Sequence, residues 1–207
     1  MNATGPEIAS FVGSERYGTP AVLFDPLNDE FDFGLDVAAE RWSAKCERWY
    51  GPGSPWREDA LAPQPWESST GSAFLNPPFA RISTPAWVAR ARRECRGGLL
   101  VVCVLPLRSD TRWWQRFAAG SELRLVRGRV HYEGGSGAAP FPTGVVVMRP
   151  EDPDPSDGPW QCMFAAPVGS CEPQADHLAV HAEPFRTPAG DAFAAERTRR
   201  QQERRDG

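Results

Sequence analysis

The stretch Leu99-Leu100-Val101-Val102-Cys103-Val104-Leu105 is an uninterrupted apolar run of strand length, and its reading decides the fold. A strand with one wet face alternates apolar and polar residues. A valine-rich run without alternation suits a strand buried on both faces, as a central parallel strand must be. Working upstream, Gly97-Gly98 close a segment in which Trp87, Val88, Ala91 and Cys95 line one helical face, while Arg90, Arg92, Arg93 and Arg96 occupy the others. Ser83 with Pro85 reads as the start of that helix, and its exposed surface is expected to be basic. Before it, residues 72–75 form a short strand candidate that stops at Pro77-Pro78, because proline cannot donate to a sheet ladder. Residues 33–37 read as a further short strand, followed by Ala38, Trp42, Cys46 and Trp49 at near-helical spacing up to Gly51. A long connection rich in Gly, Pro, Ser and Trp then covers 51–71. Downstream of the central run, Asp110 or Thr111 caps a short helix bearing Trp113, Trp114 and Phe117, and 123–126 and 144–148 are two more strand candidates. Strands alternating with helices imply an α/β protein with a Rossmann-like open sheet and flanking helices. Ligands of such sheets sit beyond the carboxyl ends of the strands, so chemistry is expected after Val37, Leu75 and Leu105.

A chain of 207 residues that is 41% apolar can build one sizeable core, which excludes a large multidomain machine. From Glu151 the composition turns to prolines and acidic residues, so the expected organisation is a domain over 1–150 and an acidic linker with a C-terminal extension over 151–207. No apolar run approaches the roughly 18 residues of a membrane span, and the start lacks a basic-then-apolar signal, so a soluble intracellular protein is expected. Five cysteines at irregular spacing argue against a disulfide framework and for reduced thiols. The net charge of -4 conceals a basic segment: residues 81–129 hold 11 arginines against Glu94, Asp110 and Glu122, a surface suited to a polyanion. Every basic residue but Lys45 is arginine, a bias that fits forked phosphate contacts and equally fits genome base composition.

Asn76-Pro77-Pro78-Phe79, at the end of a strand, is the sharpest chemical feature. An exocyclic amine or an amide nitrogen has its lone pair delocalised, and it must pyramidalise before it can attack an electrophilic methyl group. An Asn76 side-chain oxygen and a Pro77 carbonyl aimed at one NH2 would accept both hydrogens and stabilise the developing positive charge. The prolines stiffen that backbone, and Phe79 would stack on a planar substrate, which for duplex nucleic acid means a flipped-out nucleotide. The bland alternative is a proline-rich loop carrying a core phenylalanine.

The chain resembles the phage-type, Dam-like DNA N(6)-adenine methyltransferases over roughly residues 19–148. Collinear blocks carry the resemblance: Thr19-Pro20 with Leu23-Phe24, Glu30-Phe31 and Phe33, Leu35-Asp36-Val37-Ala38-Ala39, Asp59 with Leu61, Asn76-Pro77-Pro78-Phe79, Leu105-Pro106, Asp110-Thr111-Arg112-Trp113-Trp114, Gly128-Arg129-Val130 and Ala139-Pro140-Phe141-Pro142. The resemblance implies S-adenosylmethionine as methyl donor, a Rossmann-like methyltransferase sheet and adenine in DNA as substrate, in a phage or restriction-modification setting within the cytoplasm. It implies Thr19, Pro20, Asp36, Ala38 and Asp59 on the donor side and Asn76, Pro77, Pro78 and Phe79 at the reacting amine. Arg108, Arg112, Arg127 and Arg129 would contact phosphate or base, with Trp113 or Trp114 near the flipped base. Two departures stand out: no glycine-rich turn follows the first strand, and phenylalanine replaces the family's usual tyrosine after Pro-Pro. Asp36 also reads simply as a helix cap.

Other chemistries are weaker. Cys162, Cys171, His177 and His181 form a conceivable zinc tetrad, although the gap between the cysteines is unlike common zinc modules, and methyl transfer requires no metal. No nucleophile elbow, phosphate-binding glycine loop or Pro-Cys pair occurs. Two rivals remain on the same fold: a protein glutamine N-methyltransferase, whose motif is similar, and a catalytically inactive nucleic-acid-binding protein.

Overall fold

The computed structural model describes residues 17–80 and 83–153. By its contacts the chain divides into two units, Met1–Gln161 and Cys162–Gly207, and every described residue belongs to the first. Four strands of the described residues form one sheet in the order β1 (Ser72–Leu75), β2 (Leu100–Pro106), β4 (Thr143–Met148), β3 (Glu122–Leu125). β1 and β2 are parallel, and β4 runs antiparallel to both β2 and β3. The apolar run 99–105 is therefore central, as expected, but parallel to its neighbour on one side only.

The sheet continues past β1 through pieces too short to count as strands. Val37 N–H donates to the Phe74 carbonyl and Phe74 N–H to the Leu35 carbonyl, so the expected strand at 33–37 is present as a paired extended segment. Asp36 in turn pairs in parallel with Trp49, whose neighbour Tyr50 pairs with Arg57.

Alternation along β2 sends its side chains into two cores. Val101, Cys103 and Leu105 join Trp87, Val88, Ala91 and Cys95 of helix α2 (Thr84–Arg96), the face its spacing predicts. Val102 and Val104 join Phe74, Tyr132 and the Phe24, Leu27 and Phe31 face of helix α1 (Ala21–Phe31). Sequence reading did not anticipate α1. Its i, i+3, i+7 apolar spacing is present, but Pro26 lies inside the helix and obscures it.

Several expectations need correction. No helix forms between Ala38 and Gly51: Trp42 is exposed, Trp49 is buried in the sheet layer, and turns connect them. Ser83 does not cap α2 with its side chain; Pro85 starts the helix instead. The expected helix after Thr111 is a π-helical turn, Trp114–Ala118, closed by Ala119 N–H donating to the Trp114 carbonyl. Thr111 does not cap it by hydroxyl, which donates backwards to the Arg108 carbonyl.

The basic face of α2 is also reduced. Arg90 is buried, pairs with Glu94 at 2.7 Å and donates to the carbonyls of Ala62 and Gln64. Glu94 accepts from Trp66 N–H, so this pair knits the 51–71 connection onto the helix. Breaking such a buried pair by removing one partner typically costs about 3–5 kcal/mol. Arg92 is likewise buried, donating to the Phe117 carbonyl and the Ser121 hydroxyl. These two arginines hold the fold and do not contribute to a polyanion surface.

Candidate active site

β1, β2 and β3 run in one direction, and the register aligns Leu105, Gly144 and Leu125 across the sheet. The loops at 76–80, 107–113 and 126–129 therefore leave from the same sheet edge, where open α/β sheets hold their ligands. Three of the sequence-identified segments converge there.

Asn76 begins the first loop and is 7% exposed. Its Nδ2 donates to the Tyr17 carbonyl at 2.9 Å, which fixes the amide orientation because a carbonyl accepts only from the NH2 end. The Asn76 Oδ1 is buried and accepts no hydrogen bond from a described residue. An unsatisfied buried acceptor costs about 1–3 kcal/mol, so native proteins keep few of them. The following backbone has a similar asymmetry. Thr84 Oγ1 lies 3.1 Å from the Pro78 carbonyl and 2.8 Å from that of Ala80, in reach of donating to either, whereas the Pro77 carbonyl between Asn76 and Pro78 accepts from no described residue. Two adjacent acceptors, one side chain and one backbone, are left open at this point of the loop.

Phe79 packs roughly perpendicular to Tyr132 and Phe141, with centroids 5.5 and 5.3 Å away, and tilted against Tyr17 at 6.0 Å. It lines a cleft of about 390 Å³ together with Thr84 and Pro106 and with Arg108, Thr111 and Trp113 of the second loop. Trp113 is half-buried in that cleft, whereas Trp114, perpendicular to it at 5.6 Å, belongs to the core. Of the two tryptophans, only Trp113 is positioned to meet a ligand there.

Asp36 is 2% exposed, and both its oxygens are used: Oδ1 accepts from Ala38 N–H at 3.3 Å and Oδ2 from Lys45 N–H at 3.1 Å. Burial raises its carboxyl to about 6, against the pull of these two N–H groups and the Lys45 charge. No helix follows it, so Asp36 caps a loop and not a helix. Thr19 is 2% exposed, and its hydroxyl has no partner among the described residues. Pro20 leads into α1. Asp59 closes its own turn, accepting from the N–H of Leu61 at 2.8 Å within the 51–71 connection.

Sequence reading missed the parts that join these pieces. Gly18 and Glu133 pair through two backbone hydrogen bonds of 2.9 and 2.8 Å, which lays Tyr17, Gly18 and Thr19 beside Asn76. Lys45 Nζ donates to both Glu133 oxygens at 2.9 Å, tying the Asp36 loop to the same place. The one signal in the sequence was Lys45, the chain's single lysine among 23 basic residues.

Arg108, Arg112, Arg127 and Arg129 are all exposed, and none makes an ion pair with a described residue. Arg127 and Arg129 flank Gly128, whose φ of 80° makes the tight turn that only glycine adopts freely. Arg124, by contrast, is held by Glu30 and Glu122. Of the arginines of 81–129, Arg108, Arg112, Arg127 and Arg129 thus stand exposed on loops at this edge, whereas Arg90, Arg92 and Arg124 are engaged by other groups.

Among the described residues, no group of three or more His, Cys, Asp or Glu side chains could hold a metal, and Cys46, Cys95 and Cys103 are free thiols. Cys162, Cys171, His177 and His181 lie outside the described residues. No described helix is long and apolar enough to cross a membrane.

No protein of curated function matches the chain. A family model described as DNA N-6-adenine-methyltransferase (Dam) matches residues 13–145, a span that includes α1, the whole Asn76–Phe79 loop, the arginine-bearing edge and all but the end of the sheet. With that match over more than half its length, the chain belongs to the Dam family of DNA adenine methyltransferases.

Proposed function

We propose that this protein transfers a methyl group from S-adenosylmethionine to the 6-amino group of an adenine flipped out of DNA. The observation that carries this reading is the buried Asn76 Oδ1, which accepts from no described residue, next in the chain to a Pro77 carbonyl that likewise accepts from none. Two acceptors of this kind can take both hydrogens of one NH2 group and favour its pyramidal, nucleophilic form. Phe79 and Trp113 flank the cleft into which a base would stack, Pro78 stiffens the loop, and Arg108, Arg112, Arg127 and Arg129 offer four exposed charges to phosphate at the same edge.

The sheet supports a Rossmann-like methyltransferase arrangement, since parallel segments are joined by α2 and one antiparallel strand, β4, is inserted before the edge. No helix follows the first extended segment. Here the Asp36 carboxylate organises that loop instead. The donor-side residues fit a polar ligand in one respect already visible, the unpaired buried Thr19 hydroxyl. Thr19 and Pro20 would then touch the donor, Asp36 and Ala38 would shape the loop facing it, and Asp59 would flank it. When bound, the donor supplies a methyl group on a sulfonium, an electrophile that needs no Lewis acid. Residues 1–150 form the catalytic domain in this reading and 151–207 an extension. Work on DNA would place the protein in the cytoplasm of a bacterium or phage-infected host.

The test is incubation with donor labelled in the methyl group and unmethylated DNA, followed by nucleoside digestion, with Asn76→Ala alongside. Label in N(6)-methyladenine that vanishes in the variant supports the proposal. Label on protein glutamine would replace the substrate; absence of donor binding would leave a nucleic-acid-binding protein. The unpaired arginines at the site edge favour DNA over a protein amide.

A further inference from the structure

Four segments distant in sequence meet around Gly18. Asp36 holds the backbone of Lys45 at 3.1 Å; Lys45 Nζ holds both oxygens of Glu133 at 2.9 Å; the Glu133 backbone holds Gly18; and the neighbouring Tyr17 carbonyl holds the Asn76 amide at 2.9 Å. Each contact orders the next. The Tyr17–Thr19 strap pairs with Glu133 through the Gly18 bridge while the Tyr17 ring packs on Phe79 and Tyr132, so the height of its backbone above Asn76 follows where Glu133 stands. Gly18 leaves no slack in this arrangement: a Cβ there would lie 2.9 Å from Glu133 Oε2 and 3.1 Å from the Trp42 ring.

We infer that the Lys45–Glu133 ion pair is a positioning device that sets the orientation of the Asn76 amide, through the strap whose Tyr17 carbonyl grips it. The pair touches neither the cleft nor the Asn76 oxygen, and acts by fixing which way that oxygen points. Its side chains are 18% and 40% exposed, enough shielding for the forked contact to be geometrically defined while its net contribution to stability stays small. Without the pair, the backbone bridge between Glu133 and Gly18 remains but Glu133 is no longer fixed from the Asp36 loop, and the Asn76 amide gains freedom about its terminal torsion, a soft degree of freedom.

This inference deepens the proposed function but is tested independently of it. The side-chain NH2 signals of Asn76 are assigned by NMR through their disappearance in Asn76→Ala. In the wild type they are shifted by the hydrogen bond to Tyr17 and exchange slowly with solvent. Lys45→Met should move them toward free-amide positions and speed their exchange, Lys45→Arg should keep them, and Gly18→Ala, which pushes the strap from the other side, should shift them again. Asn76 signals unchanged in Lys45→Met would overturn the inference whether or not the protein methylates DNA. Where the wild type is active, kcat of Lys45→Met should fall about 10- to 100-fold, with KM for DNA held within about twofold. A changed KM with unchanged kcat would also overturn it. Wild-type protein that methylates nothing would defeat the proposed function alone, since the amide signals would still report the strap.

Discussion

Asp36 and Asn76 occupy equivalent places in the fold, each at the carboxyl end of one of two adjacent, parallel extended segments, and both are buried. They differ in what their oxygens do. Both Asp36 oxygens accept backbone N–H groups from the loop that follows, so that loop is finished by its own bonds. The Asn76 oxygen accepts nothing from the described residues, although its nitrogen is firmly held. A protein tolerates the desolvation cost of an open buried acceptor only where something else repays it, and a ligand amine is the simplest candidate. The first loop is closed by its own bonds; the second leaves a buried acceptor that no described residue uses.

That contrast can be broken most severely at Asn76. Asn76→Ala should lower kcat by about 10²- to 10³-fold, the usual loss for one preorganised catalytic hydrogen-bonding group, with donor affinity nearly unchanged and stability lowered only by the roughly 0.5–1.5 kcal/mol of the lost hydrogen bond to Tyr17. Single-turnover methylation beside isothermal titration and calorimetry would measure all three. If stability fell by several kcal/mol together with activity, Asn76 would be architecture too.

Asp36→Ala should act in the opposite sense, on stability first. It leaves two backbone N–H groups without an acceptor, at about 1–3 kcal/mol each where burial is maintained, and urea unfolding would read the loss. The pH dependence has a definite sign. The buried carboxyl titrates at about 6 in the folded protein, above its unfolded value of 3.8, so the native state binds the extra proton between those values. Relative to Asp36→Asn, wild-type stability should therefore be greatest below the unfolded value and decline as pH rises through about 6, by roughly 2–3 kcal/mol in total. Melting curves of both proteins across that window test it; parallel curves would mean that folding does not raise the Asp36 carboxyl above its unfolded value.

Smaller effects sharpen the incomplete side of the comparison. Phe79→Ala should weaken capture of the flipped base by about 1–3 kcal/mol, seen as a raised KM for DNA, while Phe79→Tyr should leave it close to wild type. A dead but folded tyrosine variant would argue against simple stacking. Arg127→Ala or Arg129→Ala should each reduce the salt dependence of DNA binding by about one unit of log–log slope, the signature of one phosphate no longer neutralised, without changing sequence preference. The same measurement on Arg93→Ala, on the exposed face of α2, provides a reference away from the proposed edge.

The arginines show how far composition can be trusted. The 81–129 segment is basic by count, and the count is correct. Position within it is what matters: Arg90 and Arg92 are drawn inward by Glu94 and by carbonyls of the 51–71 connection and the π-helical turn, partners that mostly lie far away in sequence. Arg108, Arg112, Arg127 and Arg129, which follow the ends of β2 and β3, are exposed at the site edge.

Local chemistry was legible from sequence wherever it is written in consecutive residues. The apolar run at 99–105 must be buried on both faces because it has no polar side to offer, Pro77-Pro78 must end a strand, and the α2 face follows from its spacing. The family resemblance rested on the same short blocks and holds. The spacing of Ala38, Trp42, Cys46 and Trp49 misled, because helical periodicity means nothing when Asp36 and the Trp49 pairing bind the segment into turns. Only the tertiary structure could decide that the Asn76 nitrogen is gripped by Tyr17 and its oxygen left open, and that Lys45 reaches Glu133. Those facts depend on hydrogen-bond partners 59 and 88 residues apart, and which donor meets which acceptor at that range is settled by how the layers stack, not by any pattern along the chain.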